Sequence, residues 1–183
     1  MGRMDWMPPI AAFGALAVLL PAQYMNSRRI WAPIEARAMA DTTLHGIVPA
    51  VASAPLWLRG GSADLRLLLL AFLCGFLLDM DHLIAFRSLS LKTCSTQERR
   101  PFGHGLAAVI LGGVAVGFAS GSVLWGALAG FAFASHVLFD ATDGSGVPLF
   151  YPHRWILRRT PYAVYVLFVL TGFVLSAFAT ISA

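Results

Sequence analysis

The feature that most constrains this chain is the recurrence of apolar runs long enough to cross a membrane. Six can be marked, at about 7 to 25, 42 to 58, 64 to 86, 103 to 119, 121 to 141 and 161 to 182, each near the roughly 20 residues a helix needs to traverse the hydrocarbon. Backbone amides in lipid have no water to bond, so each run must satisfy its own by coiling, and the runs are too long to be barrel strands. Composition agrees: 58% of the residues are hydrophobic and 12% charged, about half the charge of an ordinary soluble domain. The expected fold is all-α, a polytopic membrane helical bundle of about six hydrophobic helices, five or six of them spanning. It forms a single transmembrane domain over residues 1–183, with no repeat, low-complexity stretch or linker to divide it. The opening run, preceded by Arg3 offset by Asp5, is expected to remain as a first spanning helix rather than to be cleaved as a signal peptide.

The basic residues orient such a bundle. Arg28, Arg29 and Arg37 fall in the first loop, Arg87, Lys92, Arg99 and Arg100 in the third, and Arg154, Arg158 and Arg159 in the fifth; the opposite side carries only Arg3, Arg59 and Arg66. By the positive-inside rule the richer side is cytoplasmic, with both termini outside if all six segments span. Short loops between apolar segments also explain the +4 net charge through headgroups and topology, so nucleic acid is not an expected partner. Cys74 lies in an apolar run and Cys94 in a polar loop, a spacing that suggests neither a disulfide framework nor a zinc knuckle. Glycines in LGGVAVG and GALAG, in the fourth and fifth segments, would let those helices approach closely.

Four polar stretches interrupt the apolar pattern: TTLHGIVP around His45, GFLLDMDHL around Asp79, Asp81 and His82, RRPFGHGL around His104, and ASHVLFDATDGSG around His136, Asp140 and Asp143. An aspartate at the centre of a spanning helix costs about 2.5 to 3.5 kcal/mol on insertion scales, so such groups have a partner or a purpose. The topology places all four stretches at the cytoplasmic end: His45 opens the second helix, Asp79, Asp81 and His82 close the third, His104 opens the fourth, and His136 and Asp140 close the fifth. His136 and Asp140 are spaced i, i+4 and Asp79 and His82 i, i+3, so one helical face can present both members of each pair. Imidazole with carboxylate suits zinc, manganese or iron, and the number of donors allows one ion or two, with some residues supporting ligands or acting as base. Each residue also has a plainer reading. A lone histidine at a helix end is often only hydrogen-bonded, Asp140 and Asp143 could cap the ATDGSG turn, and Asp81, two residues from Asp79, should point elsewhere, toward a cytoplasmic arginine. His153, in YPHRW, reads as an interfacial position rather than a ligand.

At these residues the sequence resembles the YdjM-like family of inner-membrane metal-dependent hydrolases. The family's pattern sets an early histidine in a helix, a P-D-x-D-H-like element, an H-S or H-G element after a basic loop, and a final H-x-x-x-D followed by a glycine-containing turn and a proline. Here the matching residues are His45; Leu78-Asp79-Met80-Asp81-His82; His104-Gly105; and His136 to Asp140 with Gly144, Gly146, Pro148 and Pro152. Leu78 stands where the family usually has proline, and Gly105 where serine is common. The resemblance covers roughly residues 42 to 152, the expected metal-site core, and leaves out the first segment and the last helix.

Together these readings lead to an expected function: hydrolysis at the cytoplasmic face of the inner membrane. His45, Asp79, His104, His136 and Asp140 would hold one or two divalent transition metals, zinc first and manganese or iron next. Asp81 or His82 would act as base, and Asp143 would support a ligand. Arg99 and Arg100, just ahead of His104, suit a phosphate group, so a lipid or lipid-linked ester, and a phosphoester in particular, is the expected substrate. No G-x-S-x-G elbow is present to suggest a serine hydrolase. Two alternatives use the same residues: a metal-ion or proton transporter or channel, and a scaffold in which the cluster only locks helices together.

Overall fold

In the computed structural model, the described residues are 7–28, 33–58, 63–90, 101–142, 146–148, 156–157 and 160–181. Helices dominate: α1 (Met7–Ser27), α2 (Ile34–Ala52), α3 (Ala54–Trp57), α4 (Leu65–Leu77), α5 (Met80–Phe86), α6 (Leu106–Ser120), α7 (Val123–Asp140) and α8 (Tyr162–Ile181). A 3₁₀ turn, Phe102–His104, leads into α6, and two short strands, β1 (Val147–Pro148) and β2 (Ile156–Leu157), pair antiparallel beyond α7. All six apolar segments are thus helical. Among the described residues, four helices are long and apolar enough to cross a membrane: α1, the α4–α5 unit Leu65–Phe86, α7 and α8; α6 is apolar but shorter, with 15 residues.

The second segment differs from its expected bounds. α2 begins at Ile34, well before residue 42, because the stretch Ile34-Glu35-Ala36-Arg37-Ala38-Met39-Ala40 is rich in strong helix formers behind Pro33. It stops at Ala52, where the Ser53 hydroxyl bonds back to the carbonyls of Pro49 and Ala50 at 2.9 and 3.0 Å, and Pro55 opens the short α3. His45 therefore sits three turns inside α2 instead of opening it. The third segment also breaks. At Leu78–Asp79 the ladder tightens to bonds from the amides of Asp81 and His82 to the carbonyls of Leu78 and Asp79, each 3.2 Å, before α5 resumes.

Packing follows the small residues. Gly113, Gly117, Gly126 and Gly130 bring α6 and α7 into backbone contact, so that a Cβ on Gly126 would lie 2.9 Å from the Gly113 carbonyl oxygen and from the Gly117 Cα. Gly46 of α2 meets Phe72 of α4, and Gly75 of α4 meets the backbone of His45. Between apolar surfaces in lipid, such close approach supplies the van der Waals attraction that holds helices together. Hydrogen bonds fasten the outer helices. Tyr162 and Tyr165 of α8 donate to the Leu20 carbonyl (2.6 Å) and to Gln23 Oε1 (2.8 Å) of α1. At the opposite end of α8, Thr180 donates to the Pro55 carbonyl at 2.9 Å. The helices consequently alternate up and down, with the C-termini of α1, α4 and α7 and the N-termini of α6 and α8 at one end.

Candidate metal centre

At that end, residues remote in sequence converge. Buried between α7 and α4, His136 directs Nδ1 at the carbonyl oxygen of Gly75, 2.6 Å away, while Nε2 points into the cluster. That bond selects the tautomer with hydrogen on Nδ1 and leaves Nε2 with its lone pair, the arrangement in which metal-ligating histidines are held. Its Nε2 lies 3.2 Å from Nε2 of His104, 3.4 Å from Asp79 Oδ1 and 3.6 Å from Asp140 Oδ2. His104 Nε2 is in turn 3.4 Å from Asp79 Oδ1 and 3.5 Å from Asp140 Oδ2.

These five separations, 3.2 to 3.6 Å, fall at or beyond the long end of hydrogen bonding and are right for ligands that share a cation. Donors about 2.0 to 2.2 Å from a tetrahedral centre stand roughly 3.3 to 3.6 Å from one another. His104, His136 and Asp140, all fully buried, could hold a divalent metal ion here, and Asp79 reaches both imidazoles from a less buried position.

The surrounding residues steady the set. Asp81 Oδ2 accepts the Gly103 amide at 2.9 Å and lies 3.2 Å from His104 Nδ1, gripping the ring from the side opposite Asp79. Asp81 thus turns inward, contrary to the expectation that it would face a cytoplasmic arginine: the tight turn at Leu78–Asp79 lies against His104, and the two carboxylates reach its two ring nitrogens. Asp81 Oδ1 is 3.2 Å from Nδ1 of His82, whose ring stands edge-on to that of His104. His45 stacks on His136 with centroids 3.7 Å apart, its Nε2 lying 3.6 Å from Asp140 Oδ1.

All seven metal or base candidates among the described residues (His45, Asp79, Asp81, His82, His104, His136 and Asp140) therefore meet in one place. Arg99, Arg100, Asp143 and His153 lie outside the described residues. One participant went unread in the sequence: Asp41, whose Oδ2 is 3.5 Å from His45 Nε2. Its signal was an Asp-x-x-x-His spacing that mirrors His136 and Asp140, but it fell just ahead of the apolar run. Asn26 of α1 was also missed, and donates to Asp41 Oδ1 at 3.4 Å and to the Arg37 carbonyl at 3.0 Å.

Fold and site together define a polytopic helical membrane protein with a buried histidine and aspartate cluster suited to a metal ion. The chain belongs to the YdjM inner membrane protein family, whose model matches residues 39–182. That match extends beyond the 42 to 152 of the sequence resemblance, taking in Asp41 and α8. No curated protein and no solved structure matches the chain.

Proposed function

We propose that this protein is a membrane-embedded, metal-dependent hydrolase that acts at the cytoplasmic face on a lipid or lipid-linked ester, a phosphoester in particular. The observation that carries the reading is that His104 Nε2 and His136 Nε2 lie 3.2 Å from each other and 3.4 to 3.6 Å from both Asp79 Oδ1 and Asp140 Oδ2. Zinc is the metal best suited to that set. A divalent ion held by His104, His136 and Asp140 would supply Lewis acidity, lowering the pKa of a water toward about 7.

Around it, Gly75 and Asp81 hold the rings of His136 and His104 at their Nδ1 atoms. His82, with Nδ1 3.2 Å from Asp81 Oδ1 and its ring edge-on to His104, is the imidazole beside the set that would accept a proton from the attacking water. We therefore assign the base to His82 and the alignment of both imidazoles to Asp81. Asp79, 18% exposed at its side chain, and Asp41, 35% exposed, open the cluster to the basic side of the bundle. An apolar cleft of about 490 Å³, lined by Ala22, Met25, Met39, Ala40, Thr43 and Leu44, runs beside the turns of α2 that carry Asp41 and His45. It has the size and lining to take an acyl chain. Arg99 and Arg100, directly ahead of Pro101, suit the phosphate.

Elemental analysis of detergent-purified protein tests this reading. Wild type should carry stoichiometric zinc, manganese or iron, and His136→Ala and Asp79→Ala should lose most of it; wild type without a transition metal would end the hydrolase reading. Wild-type protein should also release product from a lipid phosphoester, with activity abolished by chelator and restored by metal.

A second reading, transport of a metal ion or proton, is favoured by one observation, the interruption of α4 and α5 at the cluster. Against it, every buried acidic or basic side chain among the described residues belongs to this single cluster, and the buried polar side chains at other depths, Ser53 and Ser176 among them, are neutral. A proton or metal path through the membrane would call for ionisable groups at further depths. Metal flux into proteoliposomes in the absence of hydrolysis would decide for transport.

A further inference from the structure

From the arrangement of His45 we infer a second divalent-cation site, made by Asp41, His45 and Asp140, in which Asp140 bridges to the first. This rests on the metal-centre reading above and extends it from one ion to a pair. His45 is 2% exposed, yet neither ring nitrogen has a hydrogen-bond partner, an arrangement that is costly for a buried polar group unless something compensates it. Its Nε2 sits between two carboxylates, 3.5 Å from Asp41 Oδ2 and 3.6 Å from Asp140 Oδ1. Both distances exceed a hydrogen bond and match donors around a shared cation. Asp140 divides its oxygens: Oδ1 faces His45, whereas Oδ2 faces His104 and His136. A carboxylate split in this way between two donor groups is the bridge of a two-ion centre, with ions about 3.5 to 4 Å apart.

Asp41 is itself held. Asn26 of α1 donates to its Oδ1, which leaves Oδ2 to face His45. α1 lies before the residues matched by the family model, so this chain's first helix helps to complete the second site. Carboxylate-rich and partly open, that site is the weaker and more exchangeable of the two, and it suits manganese or zinc.

The test is a titration of metal-stripped, detergent-purified full-length protein with Mn²⁺, followed by electron paramagnetic resonance and by bound-metal stoichiometry. The first equivalent should give the six-line signal of an isolated ion, and the second should replace it with the spectrum of a spin-coupled pair at two ions per chain. Saturation at one ion, with the six-line signal unchanged, would overturn the second site and leave the first intact; failure to bind any Mn²⁺, Zn²⁺ or Fe²⁺ would overturn both. Because this measurement uses wild type alone, it does not depend on a variant folding. In support, Asp41→Asn should bind one ion per chain, Asp41→Glu should regain the second, and Asn26→Ala should weaken the second site about 10- to 100-fold. If Asp41→Asn retained two coupled ions, Asp41 would be excluded as a ligand.

Discussion

Gly75 shows how one hydrogen atom in place of a methyl group organises the centre. Its missing side chain lets α4 lie against the backbone of His45, where a Cβ would collide with the carbonyl oxygen, and its own carbonyl orients His136. Gly75→Ala should therefore cost about 1 to 3 kcal/mol through overpacking and also lower the affinity for metal, read as a drop in melting temperature in detergent together with reduced metal content. Gly14→Ala is the matching control: nothing lies within 4 Å of its added methyl, and stability should change by no more than about 0.5 kcal/mol. The histidines and aspartates were legible from sequence because ionisable groups in apolar runs stand out. The glycine that supports them was not, since its role depends on which helix lies opposite.

At the level of elements, α6 and α7 form the tightest pair, and the glycines that permit it were readable from LGGVAVG and GALAG. Gly126→Leu should force the hairpin apart, because the added atoms meet the backbone of Gly113 and Gly117, which cannot move aside as a flexible side chain could. The expected result is a loss of about 1 to 3 kcal/mol or more in detergent unfolding, together with loss of bound metal, since His104 and His136 are carried by the two arms. Helix bounds were less legible. The polar, helix-prone start of α2 carries Glu35, Arg37 and Asp41 and lies outside any hydropathy window, so the helix was read as starting after Asp41. The break at Leu78–Asp79 gave little warning either: leucine stands there where the family usually has proline.

Across the whole molecule, up-and-down packing gathers the cluster at the end where the described arginines Arg28, Arg37 and Arg87 also lie. If that end is cytoplasmic, a cysteine placed at Ser95 in a Cys94→Ala background should react with a membrane-impermeant maleimide only after the cells are opened, and one placed at Ser122 should react from outside. Labelling of residue 95 in intact cells would reverse the orientation. What the sequence alone determined was the solvent, the helical character of the six apolar segments and the kinds of donor present, because hydropathy and the cost of charge in lipid are properties of local composition. Tertiary structure decided which donors lie close enough to share an ion, that Asp41 lies among them and that Asp81 turns inward. Those outcomes depend on separations of 3 to 4 Å between residues as far apart as His45 and Asp140, set by glycine contacts and helix breaks that no single segment encodes.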